Sequence, residues 1–228
     1  MTAAPHPLIG IVIVGAGSGR RFGDDAKVLR SLAGRPVLAY SLDVFGSLER
    51  VQEIVVVAGT HTMDYARDVV ATSGLDNVRV CLGGATRSDS VRNGLAALSS
   101  NVELVAIHDA ARPLVTKAVV ERVLDAAEEH GASVPVVPAS ETMYEVDEAG
   151  FCIRVVPRAT LRAAQTPQAA RREWLEVALR DRDGTDEGTA LMDCGYRVVT
   201  VEGDPENIKL TWPGDLAVAE AILKRRAS

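Results

Sequence analysis

"IVIVGAGSGRRFGDDAKVLRSL", residues 11–32, decides how the chain is read. The opening residues extend an apolar, β-branched run that begins at Ile9. A short run of this kind, closed by glycine, predicts a buried strand over Ile9–Val14. Gly15, Ala16, Gly17, Ser18 and Gly19 then leave the backbone bare, so its N–H groups can approach an anion closely. Arg20, Arg21 and Lys27 bring cations to the same place. A dinucleotide fingerprint fails in both registers, because Arg20 or Phe22 stands where its third glycine belongs. A Walker loop finds no register either. Two readings stay open for the loop alone: a glycine turn with solvated arginines, or a cradle for a triphosphate.

The remaining chain repeats the theme of that first strand. Apolar runs at Glu53–Val57, Val78–Leu82, Leu104–His108 and Ser133–Val137 predict further strands, each but the last followed by a helical pattern. In 86–99, Val91, Leu95 and Leu98 fall on one helical face. In 116–130, Val120, Val123, Leu124 and Ala127 do the same, with Thr116 placed as a cap. Near-continuous apolar strands alternating with helices predict an α/β fold, Rossmann-like, with a mainly parallel sheet and helices on both faces. After Pro138 the rhythm breaks. Thr142–Val146 and Phe151–Val156, joined by "DEAG", predict a protruding β-hairpin arm over roughly 139–158. Such an arm either exchanges contacts within a dimer or is a local edge hairpin. Helices are expected near Arg171–Leu179, at Asp186–Met192 and after Pro213, with a strand at Tyr196–Val201. One domain over residues 1–228 is the economical organisation.

Bulk properties narrow the partners. A net charge of −6 argues against a sequence-independent nucleic-acid binder and makes the local cations stand out. The three cysteines, Cys81, Cys152 and Cys194, are widely spaced and read as buried thiols in a reducing compartment. The N-terminal segment has no basic leader followed by a long apolar run, and the stretch Leu8–Val14 is too short to span a bilayer. A cytoplasmic protein that avoids membranes is expected.

Four further segments carry chemistry. "AIHDAARPLV" (106–115) ends a strand at Asp109, on the rim expected for the glycine loop. A carboxylate there can hold Mg²⁺ against phosphate oxygens or, more plainly, cap a turn with Arg112 as partner; the cationic loop on the same rim favours the metal. His108 reads as structural. "GGATRSDSV" (83–91) exposes backbone groups and hydroxyls that suit the edge of a flat base, and it equally suits helix capping by Thr86 or Ser88. "PENIKLTWPGDL" (205–216) puts Lys209 in a short apolar strand, where a charge needs a partner or a ligand. "DGTDEGTALM" (183–192) places Thr185, Asp186 and Glu187 at a helix start, where the two acids read as plain capping.

Taken in this order, "GAGSGRRF", Lys27, "GGATRSDSV", "HDAARP", "ETM", "AAQTPQ", "TDEGTAL" and "ENIKLT" resemble the 2-C-methyl-D-erythritol 4-phosphate cytidylyltransferase family over nearly the whole chain. The resemblance implies an enzyme of isoprenoid precursor synthesis that uses CTP and Mg²⁺ and dimerises through its β-arm. It implies that the phosphate of a polyol phosphate attacks the α-phosphorus of CTP and that pyrophosphate leaves. By motif, Arg21, Lys27 and Lys209 would stabilise charge at that phosphorus. Ala16, Gly17 and Gly19 would hold the nucleotide, and Gly84, Ala85 and Ser90 would meet its base. Asp109 would bind substrate hydroxyls or the metal. Thr142 and Arg158 would reach the partner's site to hold the substrate phosphate, and Thr185 would sit near the polyol. Close relatives use ribitol 5-phosphate with the same machinery. The chain departs from the family pattern at Val14, at Gly15-Ala16-Gly17, at Ala26 before Lys27, and at Tyr144 on the arm, where the family carries lysine.

Overall fold

The computed structural model describes residues 6–17, 31–180 and 186–227. The chain begins with strand β1 (Ile9–Val14) and continues through a small ribbon of β2 (Ser31–Leu32) and β3 (Arg35–Pro36) into helix α1 (Val37–Gly46). Three strand–helix repeats follow: β4 (Val51–Ala58) with α2 (Met63–Thr72), β5 (Val78–Leu82) with α3 (Arg87–Ala97), and β6 (Leu104–Asp109) with α4 (Lys117–His130). After β7 (Ala132–Pro138) come β8 (Met143–Val146), β9 (Cys152–Val156), β10 (Arg162–Ala164) and β11 (Gln168–Arg171). Helices α5 (Arg172–Ala178) and α6 (Glu187–Asp193), strand β12 (Val199–Glu202) and helix α7 (Asp215–Arg226) complete the chain.

The main sheet runs β10-β7-β11-β6-β1-β4-β5, with β12 added to β7. Strands β6, β1, β4 and β5 are mutually parallel, and so are β12 and β7. Strands β10 and β11 run antiparallel to their neighbours, so the sheet is mixed at this end. Alternation along β1 explains the two layers. Ile9, Ile11 and Ile13 pack with Leu38, Leu42 and Phe45 of α1 and with Val120, Val123 and Leu124 of α4. Val12 points the other way and packs with Val91 and Leu95 of α3 and Leu175 of α5. Each such aliphatic side chain contributes about 1.5–3 kcal/mol by burial. Helix α4 shows how local chemistry sets an element. Thr116 Oγ1 accepts from the Val119 N–H at its start. Gly131 ends it at φ +89°, where an added Cβ would also lie 2.3 Å from the Trp174 ring.

Several expectations need correction. The strand expected at Tyr196–Val201 lies at Val199–Glu202. Lys209 is in no strand: residues 207–211 run without regular structure, tied down by side chains instead of a ladder. Cys152 is exposed, while Cys81 and Cys194 are half-buried, so the three thiols are not a buried set. Strands β10 and β11 escaped the sequence reading, since "RAA" and "QAAR" lack β-branched residues and owe their form to pairing across the sheet.

The arm is as expected. Strands β8 and β9 form a sheet of their own, apart from the main one. Met143, Tyr144, Val146, Phe151, Ile153 and Val155 are all exposed on it, Phe151 at 73%. Among the described residues, no helix is long and apolar enough to cross a membrane.

Candidate active site

Parallel strands deliver their C-terminal ends to one rim, and three functional segments meet there. The Gly15 N–H donates to the Val57 carbonyl at 2.8 Å and the Ala110 N–H to the Val14 carbonyl at 3.0 Å, so the ladder of β1 runs on into both neighbours. Val14 pairs in register with Asp109 at the end of β6. Gly83 follows β5, its N–H bonded to the Ala58 carbonyl at 2.8 Å. Its missing side chain is what lets the segments close up: a Cβ there would lie 2.5 Å from the Ala16 Cβ and 2.8 Å from Ser90 Oγ. Ala16 is half-buried, and Gly17 opens to solvent. Gly19, Arg21, Lys27 and Thr185 lie outside the described residues.

The 83–91 segment is built by capping. Thr86 Oγ1 accepts from the Asp89 N–H, and an Asp89 carboxylate oxygen accepts from the Thr86 N–H, both at 3.0 Å. Ser90, buried, accepts from the Gly84 N–H at 3.1 Å and donates to the Thr86 carbonyl at 3.0 Å. Its hydroxyl therefore shapes the turn, while Gly84 and Ala85 are exposed.

The rim's charges form an alternating chain. Lys209 Nζ lies 2.6 Å from Asp109 Oδ2. Asp109 Oδ1 accepts from Arg87 Nη2 at 3.1 Å and Nε at 3.3 Å. Arg87 in turn binds Glu187 through Nη1 at 2.6 Å and Nη2 at 3.2 Å. Burial alone would raise the Asp109 carboxyl, but the Arg87 guanidinium and Lys209 ammonium outweigh it and hold it far below the usual carboxylate range. Burial pushes Glu187 up, against the pull of Arg87. Arg87 is driven down by burial and up, more strongly, by its two carboxylates, so it stays charged.

Side chains around Asp109 fix the backbone that carries it. Its N–H donates to Thr166 Oγ1 at 3.0 Å. The Thr166 hydroxyl is then free to donate to His108 Nδ1 at 3.1 Å, which leaves the proton of that ring on Nε2, facing the Arg112 carbonyl at 3.2 Å. Burial lowers the His108 pKa to about 4, so the ring is neutral at pH 7, in keeping with its structural reading. Arg112 does not pair with Asp109. Its guanidinium donates to the Asn207 carbonyl at 2.7 Å and the Ala164 carbonyl at 3.4 Å. Gln165 Nε2 donates to the Asp204 carbonyl at 2.8 Å, and Asn207 Nδ2 to the Thr166 carbonyl at 3.0 Å. These bonds, with the fully buried Leu210, hold the segment that presents Lys209.

Thr142 and Arg158 stand on the exposed arm, and Arg158 donates to the Ser140 carbonyl. Sequence reasoning missed Arg87 and misread Glu187. Asp186 is indeed the cap of α6, accepting from the Thr189 N–H at 2.8 Å, but Glu187 is 1% exposed and paired to Arg87. One signal was available: Arg87 is the first residue of α3, where the helix dipole disfavours a cation unless acids face it. Among the described residues, no three His, Cys, Asp or Glu side chains come together to hold a metal. Asp109 is a lone carboxylate at this rim, with Oδ1 on Arg87 and Oδ2 on Lys209.

The family model for IspD, 2-C-methyl-D-erythritol 4-phosphate cytidylyltransferase, matches residues 9–225. A protein of that name from Frankia casuarinae is 40% identical over 223 residues, 96% of this chain and 82% of its own length. Another from Caldanaerobacter subterraneus is 37% identical over 95% of this chain and 99% of its own. The solved structure of 4-diphosphocytidyl-2C-methyl-D-erythritol synthase from Anaerococcus prevotii superposes with a TM-score of 0.85 at 26% identity, covering 96% of this chain and 97% of that one.

Proposed function

The chain belongs to the 2-C-methyl-D-erythritol 4-phosphate cytidylyltransferase family, and from that premise we propose how its own residues do the family's work. It is a CTP-dependent nucleotidyltransferase that transfers CMP from CTP to 2-C-methyl-D-erythritol 4-phosphate in isoprenoid precursor synthesis.

The acceptor's phosphate oxygen forms a bond to the α-phosphorus while the bond from that phosphorus to the bridging oxygen of pyrophosphate breaks. No general base is needed, because a phosphate monoester is already an anion near neutral pH. Catalysis then rests on holding the two groups in line and on cations placed where charge builds up. Lys209 supplies one such cation. Arg21 and Lys27, from the segment after β1, supply the others. Ala16, Gly17 and Gly19 offer backbone N–H groups to the phosphates, and Gly84 and Ala85 meet the base, with Ser90 shaping their turn. Asp109 orients acceptor hydroxyls and would ligate Mg²⁺. When bound, that ion would neutralise charge on the leaving pyrophosphate. The observation that carries this reading is the ion pair of Asp109 and Lys209 at the ends of the parallel strands, beside the Ala16–Gly83 contact.

The arm completes the enzyme as a homodimer within a single catalytic domain. A two-stranded hairpin that exposes six large apolar side chains is poorly stable by itself in water and gains by pairing with a second copy. Thr142 and Arg158 then reach the partner's substrate phosphate, and Thr185 faces the polyol. The enzyme works in the cytoplasm, with its nucleotide and sugar phosphate as partners and no nucleic acid.

Purified protein given CTP, Mg²⁺ and either 2-C-methyl-D-erythritol 4-phosphate or ribitol 5-phosphate tests the reading. Pyrophosphate release with the methylerythritol substrate alone is expected. Release only with ribitol 5-phosphate, or with neither, would overturn it.

A further inference from the structure

We infer that Arg87, backed by Glu187, is a positioning residue for the transfer: it fixes the Asp109 carboxylate and, through it, the place of the Lys209 ammonium. The inference rests on the reading that Asp109 and Lys209 belong to the reacting rim.

Geometry carries it. All three guanidinium nitrogens of Arg87 are in use, Nη1 and Nη2 on the two Glu187 oxygens and Nη2 and Nε on Asp109 Oδ1. A planar fork can bind two acids at once in this way; an ammonium cannot. With Oδ1 held by Arg87, Asp109 presents Oδ2 to Lys209. The two acids are the buried members, Glu187 at 2% and Asp109 at 11% side-chain exposure, Arg87 is 27% exposed, and Lys209 is the most open at 44%. The arrangement is anchored through its acids and most open at the lysine.

The charges explain why a second acid is present. Glu187, Arg87, Asp109 and Lys209 alternate in sign and cancel as a set. Arg87 held by Asp109 alone would compete with Lys209 for the same carboxylate. With Glu187 taking the bidentate share, Asp109 keeps one oxygen for the ammonium. The fork also ties together three distant parts of the chain: the base-facing loop before α3, the end of β6, and the start of α6, two residues after Thr185.

The test uses full-length protein. Arg87→Met combined with Glu187→Gln removes one charge of each sign and leaves Asp109 paired with Lys209, so the fold should hold, with a melting temperature within a few degrees of the parent. The expected result is a fall of kcat by about 10-fold or more, with the KM for CTP changed less than about 3-fold. A folded double variant with the parent's kcat would overturn the inference. If that variant does not fold, Arg87→Lys decides. Its ammonium can serve one acid at a time, so a folded protein with clearly reduced kcat supports the role, and unaltered kcat removes it. Lys209→Ala run alongside separates the two layers of argument: unchanged turnover there would refute the rim itself, whatever the Arg87 variants do.

Discussion

Lys209 and Asp109, a hundred residues apart in sequence, meet at 2.6 Å. The contact joins the end of β6 to an irregular segment that the side chains of Arg112, Gln165 and Asn207 pin in place. A cation held this way is available to a phosphate without being buried, since its side chain remains 44% exposed.

Replacing Lys209 by alanine should therefore cost turnover far more than stability. Loss of one preorganised charge at a transition state typically lowers kcat by about 10²–10³-fold. Because Asp109 keeps Arg87 as its partner and the lost ammonium is 44% exposed, the change should cost folding only about 1 kcal/mol. Steady-state kinetics beside a thermal melt will separate the two; a large drop in melting temperature with near-normal kcat would assign Lys209 to the scaffold instead.

His108 predicts an acid limb in stability. Its folded pKa of about 4 lies below the ordinary value near 6.5, so the unfolded chain takes up a proton that the folded chain refuses. The neutral-ring contribution is complete above about pH 6.5 and is lost as pH falls towards about 4, by roughly 3 kcal/mol in total. Glu187, raised by burial, acts with the opposite sign, so the informative quantity is the difference between parent and His108→Gln. Denaturant midpoints across that window should fall less steeply in the variant. Parallel slopes in the two proteins would show that His108 does not set the limb.

The contact between the first loop and Gly83 predicts a nucleotide-specific defect. In Gly83→Ala the new methyl must push against Ala16 and Ser90, with overpacking of about 1–3 kcal/mol. The KM for CTP should rise about 10-fold while the KM for the acceptor phosphate holds. A variant that binds CTP normally would separate these two segments functionally.

Dimerisation through the arm has its own check. Phe151 is the most exposed of the large apolar residues on β8, β9 and their turn. Phe151→Asp should weaken self-association by about 30-fold or more, as expected for an aromatic anchor, and activity should follow the dimer fraction. Sedimentation at several concentrations reads both; a parent protein that is monomeric throughout would refute the arm's role.

Sequence displayed the parallel half of the fold well, because β1, β6 and β4 from Ile54 onward are buried on both faces and read as apolar runs, while β5 at the sheet edge is half-exposed and carries Arg79 within its run. The antiparallel strands β10 and β11 were hidden, since their three and four residues take strand form only through their neighbours. Lys209 was legible as a charge needing a partner, and Asp109 as a strand-end acid, yet nothing local in either segment says that the two touch. Arg87 lies within the 83–91 segment, but its partners Asp109 and Glu187 are distant in sequence, so no local pattern marks it. Glu187 was misread because a helix start explains an acid cheaply, and burial is a property of the tertiary fold. The arm was plain from its turn residues and alternation.

A crystal structure with CTP and magnesium bound tests the central claim most directly. The account places the triphosphate at the C-terminal ends of β1 and β6, with the Lys209 ammonium drawn from Asp109 Oδ2 onto an oxygen of the innermost phosphate. A nucleotide seated elsewhere, with Lys209 still closed on Asp109, would contradict it.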